Sequence, residues 1–278
     1  MVDEGKDKGI WGVLQAMCPA ACKEVDMARP VDLREDRPEV KLDFDVKYTG
    51  QWKGQKRDGY GVQVWPNGSK FDGEWREDAA NGHGKFHHAD GDTYEGQWKD
   101  DKANGEGTYH HKDGSWYEGQ WKDDQKNGCA IEKWADGSMF EGQYAMGKKH
   151  GTGRFRWSEG HQYNGEFHND DIQGDGQYVW EDGRSFKGQW DGNKMNGTGT
   201  FQWADGRSYT GEYLKDKKEG HGIFTWPDGR QYDGQWREGR QHGTGTFTAE
   251  KGKFIEEWNA GVRTSVTPID GSTPAEQT

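Results

Sequence analysis

The chain has little of what builds an ordinary core. Only 29% of its 278 residues are hydrophobic and its mean hydropathy is −1.28, figures that alone describe a chain unable to stay folded. No stretch approaches the roughly eighteen apolar residues of a membrane-crossing helix. Cysteine is scarce: Cys18, Cys22 and Cys129 are too few and too scattered for a disulfide framework, which points to a reducing compartment. Basic clusters are missing too. A formal charge of −12 and a pI near 5.3 exclude nucleic acid, which is bound through massed Lys and Arg, and weaken any purely electrostatic hold on anionic lipid. The opening "MVDEGKDKGIWGVLQAM" lacks both the basic start and the cleavage site of a signal peptide, so an intracellular, cytoplasmic chain is expected.

What the chain does have is rings and glycine. Aromatics make up 13% of it, with 15 Trp and 44 Gly. They are phased. An opening aromatic recurs every 23 residues at Tyr48, Phe71, Tyr94, Tyr117, Phe140, Tyr163, Phe186, Tyr209 and Tyr232. Gly follows two residues later each time, and a second aromatic four residues later: Trp52, Trp75, Trp98, Trp121, Tyr144, Phe167, Trp190, Tyr213 and Trp236. A shortened tenth start, "FIEEW", ends at Trp258. A fixed period of this length marks a repeat architecture whose units fold only against their neighbours.

Within each unit the apolar period is two, the signature of strands. Tyr94, Gly96 and Trp98 share one face, as do Gly105, Gly107, Tyr109 and His111, while Glu95, Gln97, Glu106 and Thr108 take the other. Asp-Gly or Asn-Gly stands between the strand runs in seven of nine units, for example Asp113-Gly114, and reads as a tight hairpin turn. The other connection, "KDDKAN" from Lys99 to Asn104, reads as a charged loop of six. The fold class expected is all-β: an elongated, twisted and curved antiparallel meander of about nine tandem hairpin repeats, its ring face curled into a trough.

Units such as "YEGQWKDDKANGEG", "FKGQWDGNKMNGTG" and "YDGQWREGRQHGTG" resemble MORN repeats (membrane occupation and recognition nexus) across residues 48–258. The resemblance implies a scaffold, as in membrane-junction, ciliary and flagellar, and protist cortical proteins. Such arrays also stand beside catalytic domains, as in plant phosphatidylinositol phosphate kinases and a SET-domain methyltransferase. Residues 1–47 and 259–278 leave no room for one here, so a stand-alone, non-enzymatic array is expected.

The candidate binding site is the aromatic trough itself: the nine second aromatics, Trp52 to Trp236 as named above, together with His88 and His111. The two histidines fill a slot that holds Trp65, Trp134, Trp157, Trp180, Trp203 and Trp226 elsewhere. Two strands apart, they stand about 10 Å from one another, far for a single zinc and with no cysteine in phase, so no metal and no cofactor is expected. Gln63 and Glu132 interrupt the third aromatic row, and Ala130 replaces a Gly, with Val62, Val64 and Ile131 turning the opposite face apolar. The partner expected is a protein presenting a helix or an extended peptide to the trough. The alternatives are a peripheral membrane module, using Lys53, Lys56, Arg57, Lys148 and Lys149 or lipidation of Cys18 or Cys22, and a regulatory subunit of a separate enzyme. Residues 1–47 read as a partly helical amphipathic segment followed by a charged linker ending in an edge strand, and 259–278 as a disordered tail. The setting implied is a cytoskeletal or ciliary assembly, or the inner face of a membrane.

Overall fold

Alternating ring and polar residues, renewed every 23 positions, build one continuous sheet. A computed structural model describes residues 33–269. They form 21 strands of a single open antiparallel sheet, from β1 (Glu35–Lys41) and β2 (Lys47–Lys53) to β20 (Gly252–Asn259) and β21 (Val262–Ile269), each paired with its neighbours in sequence. The described residues contain no α-helix, only a 3-10 turn at Asp43–Asp45. The helical segment expected near the N-terminus, with Cys18 and Cys22, lies outside them.

The end of the charged linker is β1, whose pairing with β2 shifts register between Arg37 and Val40, around Pro38. At the other end the expected disordered tail is corrected over its first part. An Ala260-Gly261 turn, both residues at positive φ, returns the chain as β21 along the edge of β20. Val262, Thr264, Val266 and Thr267 suit an extended backbone, and the edge of β20 offers them free N–H and C=O groups.

The third repeat shows the local logic. Strands β6 (Thr93–Lys99) and β7 (Lys102–His110) meet through Asp100-Asp101 alone, at φ 50° and 64°. The loop expected to hold six residues is therefore a two-residue turn in the left-handed geometry that matches strand twist. Asp tolerates that region because its short polar side chain bonds locally. Here the Asp101 carboxylate accepts from the Ala80 N–H at 2.7 Å, and the Asp101 N–H donates to the Ala80 carbonyl at 3.1 Å, tying each turn to the previous hairpin. The Asp-Gly connection is the wider one. His111 N–H reaches the Ser115 carbonyl at 2.9 Å, and Gly114 sits at φ 88° with open space around it.

A bulge divides β7. Gly96 pairs with Gly107, yet Trp98 pairs with Ala103, so the second strand carries extra residues at Gly105, φ 86°. Gln97 folds over this bulge and accepts from the Glu106 N–H at 2.9 Å. Seven more repeats do the same, through Gln51, Glu74, Gln120, Gln143, Glu166, Gln189 and Glu212. In these eight repeats the Gln or Glu of the "EGQW" unit thus satisfies a backbone donor that the bulge frees.

The core lies on one face of this single sheet. The Tyr94 ring lies flat over Gly96 and Gly107; a Cβ on Gly107 would come within 2.6 Å of its Cζ. Its hydroxyl donates to the Gln97 carbonyl at 3.0 Å, while the Trp98 indole N–H donates to the Gly84 carbonyl at 3.0 Å. Tyr94 meets Trp98 and Trp121 edge to face at 5.1 and 5.2 Å, so each opening ring is wedged between its own second aromatic and the next repeat's. In repeat four, where Ala130 fills the glycine place, Tyr117 tilts to 75° against Trp121 instead of 87°.

Candidate protein-binding face

The second aromatics turn out to be core rather than an exposed trough. Trp52, Trp75, Tyr144, Phe167, Trp190, Tyr213 and Trp236 are only 4–8% exposed. Among the described residues there is no second layer to pack against, and the rings hide each other. Trp98 and Trp121 alone among the nine are half-buried. The reason is the side chain supplied by the preceding repeat. Arg57 lies over Trp75 at 4.3 Å and Lys218 over Trp236 at 4.6 Å, but before Trp98 and Trp121 that place holds Ala80 and Ala103, too short to cover an indole.

The accessible rings form a different row along the edge of the same face. Trp134, Trp157, Trp180, Trp203 and Trp226 are half-buried, each leaning on an aromatic of the next repeat at 5.2–5.9 Å. In three successive repeats an arginine folds back over this row: Arg184 on Trp180, Arg207 on Trp203 and Arg230 on Trp226, at 5.5, 5.5 and 5.6 Å. Asp182, Asp205 and Asp228 hold the guanidinium groups at 2.7–2.8 Å. Backbone and side-chain hydrogen bonds from these arginines keep the three carboxyls below the usual range. The signal is present in the sequence of these repeats as "W-x-D-G-R", but Asp-Gly alone reads as a turn and nothing in the spacing connects the Arg with the Trp before it.

His88 and His111 share the row without meeting each other's rings. His88 packs on Phe86 and Tyr109 at 4.5 and 5.8 Å, and His111 on Tyr109 at 4.6 Å. Asp92 gathers the second of them: its carboxylate accepts from the Lys112 N–H and the Tyr109 hydroxyl and meets His111 Nδ1, each at 2.9 Å. The Lys112 N–H is the main reason this carboxyl stays below the usual range. No group of three or more His, Cys, Asp or Glu with metal-binding geometry occurs among the described residues.

The place occupied by Arg57 and Lys218 carries cations in four repeats. Arg57 pairs with Asp78 at 3.2 Å and bonds Gln63; Lys126 pairs with Glu132, which also takes the Tyr144 hydroxyl; Lys149 pairs with Asp170 at 3.3 Å. Gln63 and Glu132 are thus buried polar partners of these cations, which is why they stand where other repeats carry Phe or Tyr. Lys218 is different. It lies within 4.6–5.0 Å of four ring centroids, those of Trp203, Tyr209, Phe224 and Trp236. Burial, with Arg207 adding to it, pulls its pKa down to about 8. Of the basic residues considered for lipid, Lys56 pairs with Glu77 and both Arg57 and Lys149 are paired as described, while Lys53 and Lys148 stay exposed.

None of the curated proteins compared with the chain matches it. Among solved structures, the Drosophila melanogaster SAS-4 (dCPAP) TCP domain, in complex with a proline-rich motif of Ana2 (dSTIL), is 14% identical. The match covers 81% of this chain and 99% of that one at a TM-score of 0.32. The TCP10 domain of Danio rerio CPAP is 10% identical over 83% of this chain and 99% of its own, with a TM-score of 0.28. At such scores the likeness carries no functional weight. The family model of the MORN repeat matches residues 48–70, 71–93, 94–116, 117–139, 140–162, 163–183, 186–206, 209–229 and 232–253. With nine matched repeats spanning most of its length, the chain belongs to the MORN-repeat family.

Proposed function

We propose that this chain is a non-enzymatic scaffold that holds a protein partner along the Trp-edged side of its ring face, within a cytoskeletal, ciliary or cortical assembly. The observation that carries this reading is the row Trp134 to Trp226 with Arg184, Arg207 and Arg230 stacked on it. Trp and Arg dominate binding hot spots, and here both are held at the two ends of the Asp-Gly connections, the Trp backbone N–H bonded to the Arg carbonyl, before any partner arrives. The acids and amides that recur through the repeats support the non-enzymatic part. Asp101 and its equivalents hold turns, and Gln97 and its equivalents hold bulges.

The test is quantitative capture of partners from cell extract. An R184E/R207E/R230E variant changes only partly exposed side chains and is expected to lose partners that the wild type retains. A folded W98A/W121A variant reports on the separate opening in repeats two to four. Unchanged capture by the arginine variant overturns the reading of this row. Flotation of the full chain with anionic vesicles would favour the membrane alternative, and a co-purifying activity the regulatory one.

A further inference from the structure

We propose that Lys218 is the anchor for an Asp or Glu carboxylate of a protein partner, seated against Trp203. This rests on the reading of the Trp-edged face and names the chemistry that one point of it recognises. The repeat supplies its own comparison. Arg57, Lys126 and Lys149 occupy the same place as Lys218, and each has an acid of this chain: Asp78, Glu132 and Asp170. In the repeat of Lys218 both sources of that acid are gone. Gly239 stands in the turn where Asp78 and Asp170 stand, and Phe224 stands where Glu132 does. Gly239 keeps only the backbone bond, its N–H reaching the Lys218 carbonyl at 2.8 Å.

What remains is an ammonium ringed by four aromatic faces, with no hydrogen-bond or ion-pair partner for its Nζ among the described residues. Ring faces attract a cation, but they do not supply acceptors for its three N–H donors. An ammonium that is partly desolvated and unpaired is the costly half of an incomplete ion pair. The missing half is a carboxylate. Nearby charge favours an anion as well. Arg207 adds a second cation over Trp203, at 5.5 Å against 4.8 Å for Lys218, and only Arg207 has an acid, Asp205, to offset it. The ring face leaves Lys218 and Trp203 half-buried, so a side chain arriving on that face meets both. An Asp or Glu flanked by apolar residues would pair with Lys218 while its neighbours lie on the indole.

The test follows the Lys218 side-chain carbon next to the amine by NMR, in full-length protein labelled at lysine, with the signal assigned by its absence in K218M. In the free protein the signal is expected to titrate near pH 8. The blocked tripeptide acetyl-Ala-Glu-Ala-amide, at tens of millimolar, is expected to raise that midpoint by a pH unit or more. Acetyl-Ala-Gln-Ala-amide is expected to leave it in place, and the other lysines to stay unmoved. A free-protein midpoint near 10 overturns the proposal, because it means that water or an anion of the chain already satisfies the ammonium. So does the absence of a Glu-specific shift, or an equal shift at every lysine. Any of these failures leaves the Trp–Arg row standing, since that is judged by capture with R184E/R207E/R230E.

Discussion

At the scale of single residues, glycine does two jobs that the sequence writes identically. Gly107 is needed for space, because the Tyr94 ring lies where a side chain would go; Gly114 is needed for its φ of 88°, with nothing near it. Gly107→Ala is expected to lower stability by about 2–3 kcal/mol and to tilt Tyr94 as Ala130 tilts Tyr117, whereas Gly114→Ala costs about 1 kcal/mol. Urea unfolding of both variants checks the order. Indoles offer a similar contrast. Trp75 donates to the Gly61 carbonyl at 3.0 Å, but Trp52 has no repeat before it and its buried Nε1 finds no partner. Trp75→Phe is therefore expected to cost about 1 kcal/mol more than Trp52→Phe, measured by the same unfolding midpoints.

Lys218 gives the pH dependence. Its folded pKa of about 8 lies below the 10.5 of the unfolded chain, so between those values the unfolded state binds the extra proton. Stability of the wild type relative to K218M is therefore flat below pH 8 and rises from pH 8 towards 10.5, by about 3 kcal/mol in all. Paired denaturation curves at pH 7 and 9.5 decide it. These residue-level roles were only partly legible in the sequence. The ring rows and the glycines beside them could be read from spacing alone. The burial of those rings could not, since a one-faced sheet looks exposed until the mutual wedging of Tyr94, Trp98 and Trp121 is seen.

At the scale of the hairpin, the tight turn is not where Asp-Gly predicts it. Asp100-Asp101 makes the two-residue turn, and the bond that stabilises it comes from Ala80 in the previous repeat, a partner that local sequence cannot show. Gly147 and Gly239 fill the place of Asp101 in two other repeats, keeping the positive φ without the carboxylate. Asp101→Ala loses the bond and strains the backbone, for an expected cost of about 1–2 kcal/mol, while Asp101→Gly costs less. Thermal unfolding separates the pair. The bulge was illegible for a related reason: Gln97 reads as a polar-face residue, and only the extra residues of the facing strand turn it into an acceptor for Glu106.

At the scale of the whole sheet, every strand pairs only with those next to it in sequence, so the period is the unit of exchange. Excising residues 94–116, one full period, is expected to rejoin Trp116-less hairpins in register and leave a folded, shorter sheet. Excising 95–116 shifts the rings of everything that follows by one position and breaks the packing. Near-ultraviolet circular dichroism of the Trp and Tyr rings distinguishes the two outcomes.

The same nearest-neighbour pairing governs how the molecule responds to load. A pull applied at its two ends acts across the ladder of paired strands, and it opens that ladder from an edge, one hairpin after another. Each repeat then lets out its length at nearly the same low tension. A sheet paired only between neighbours is thus expected to yield to traction gradually rather than all at once.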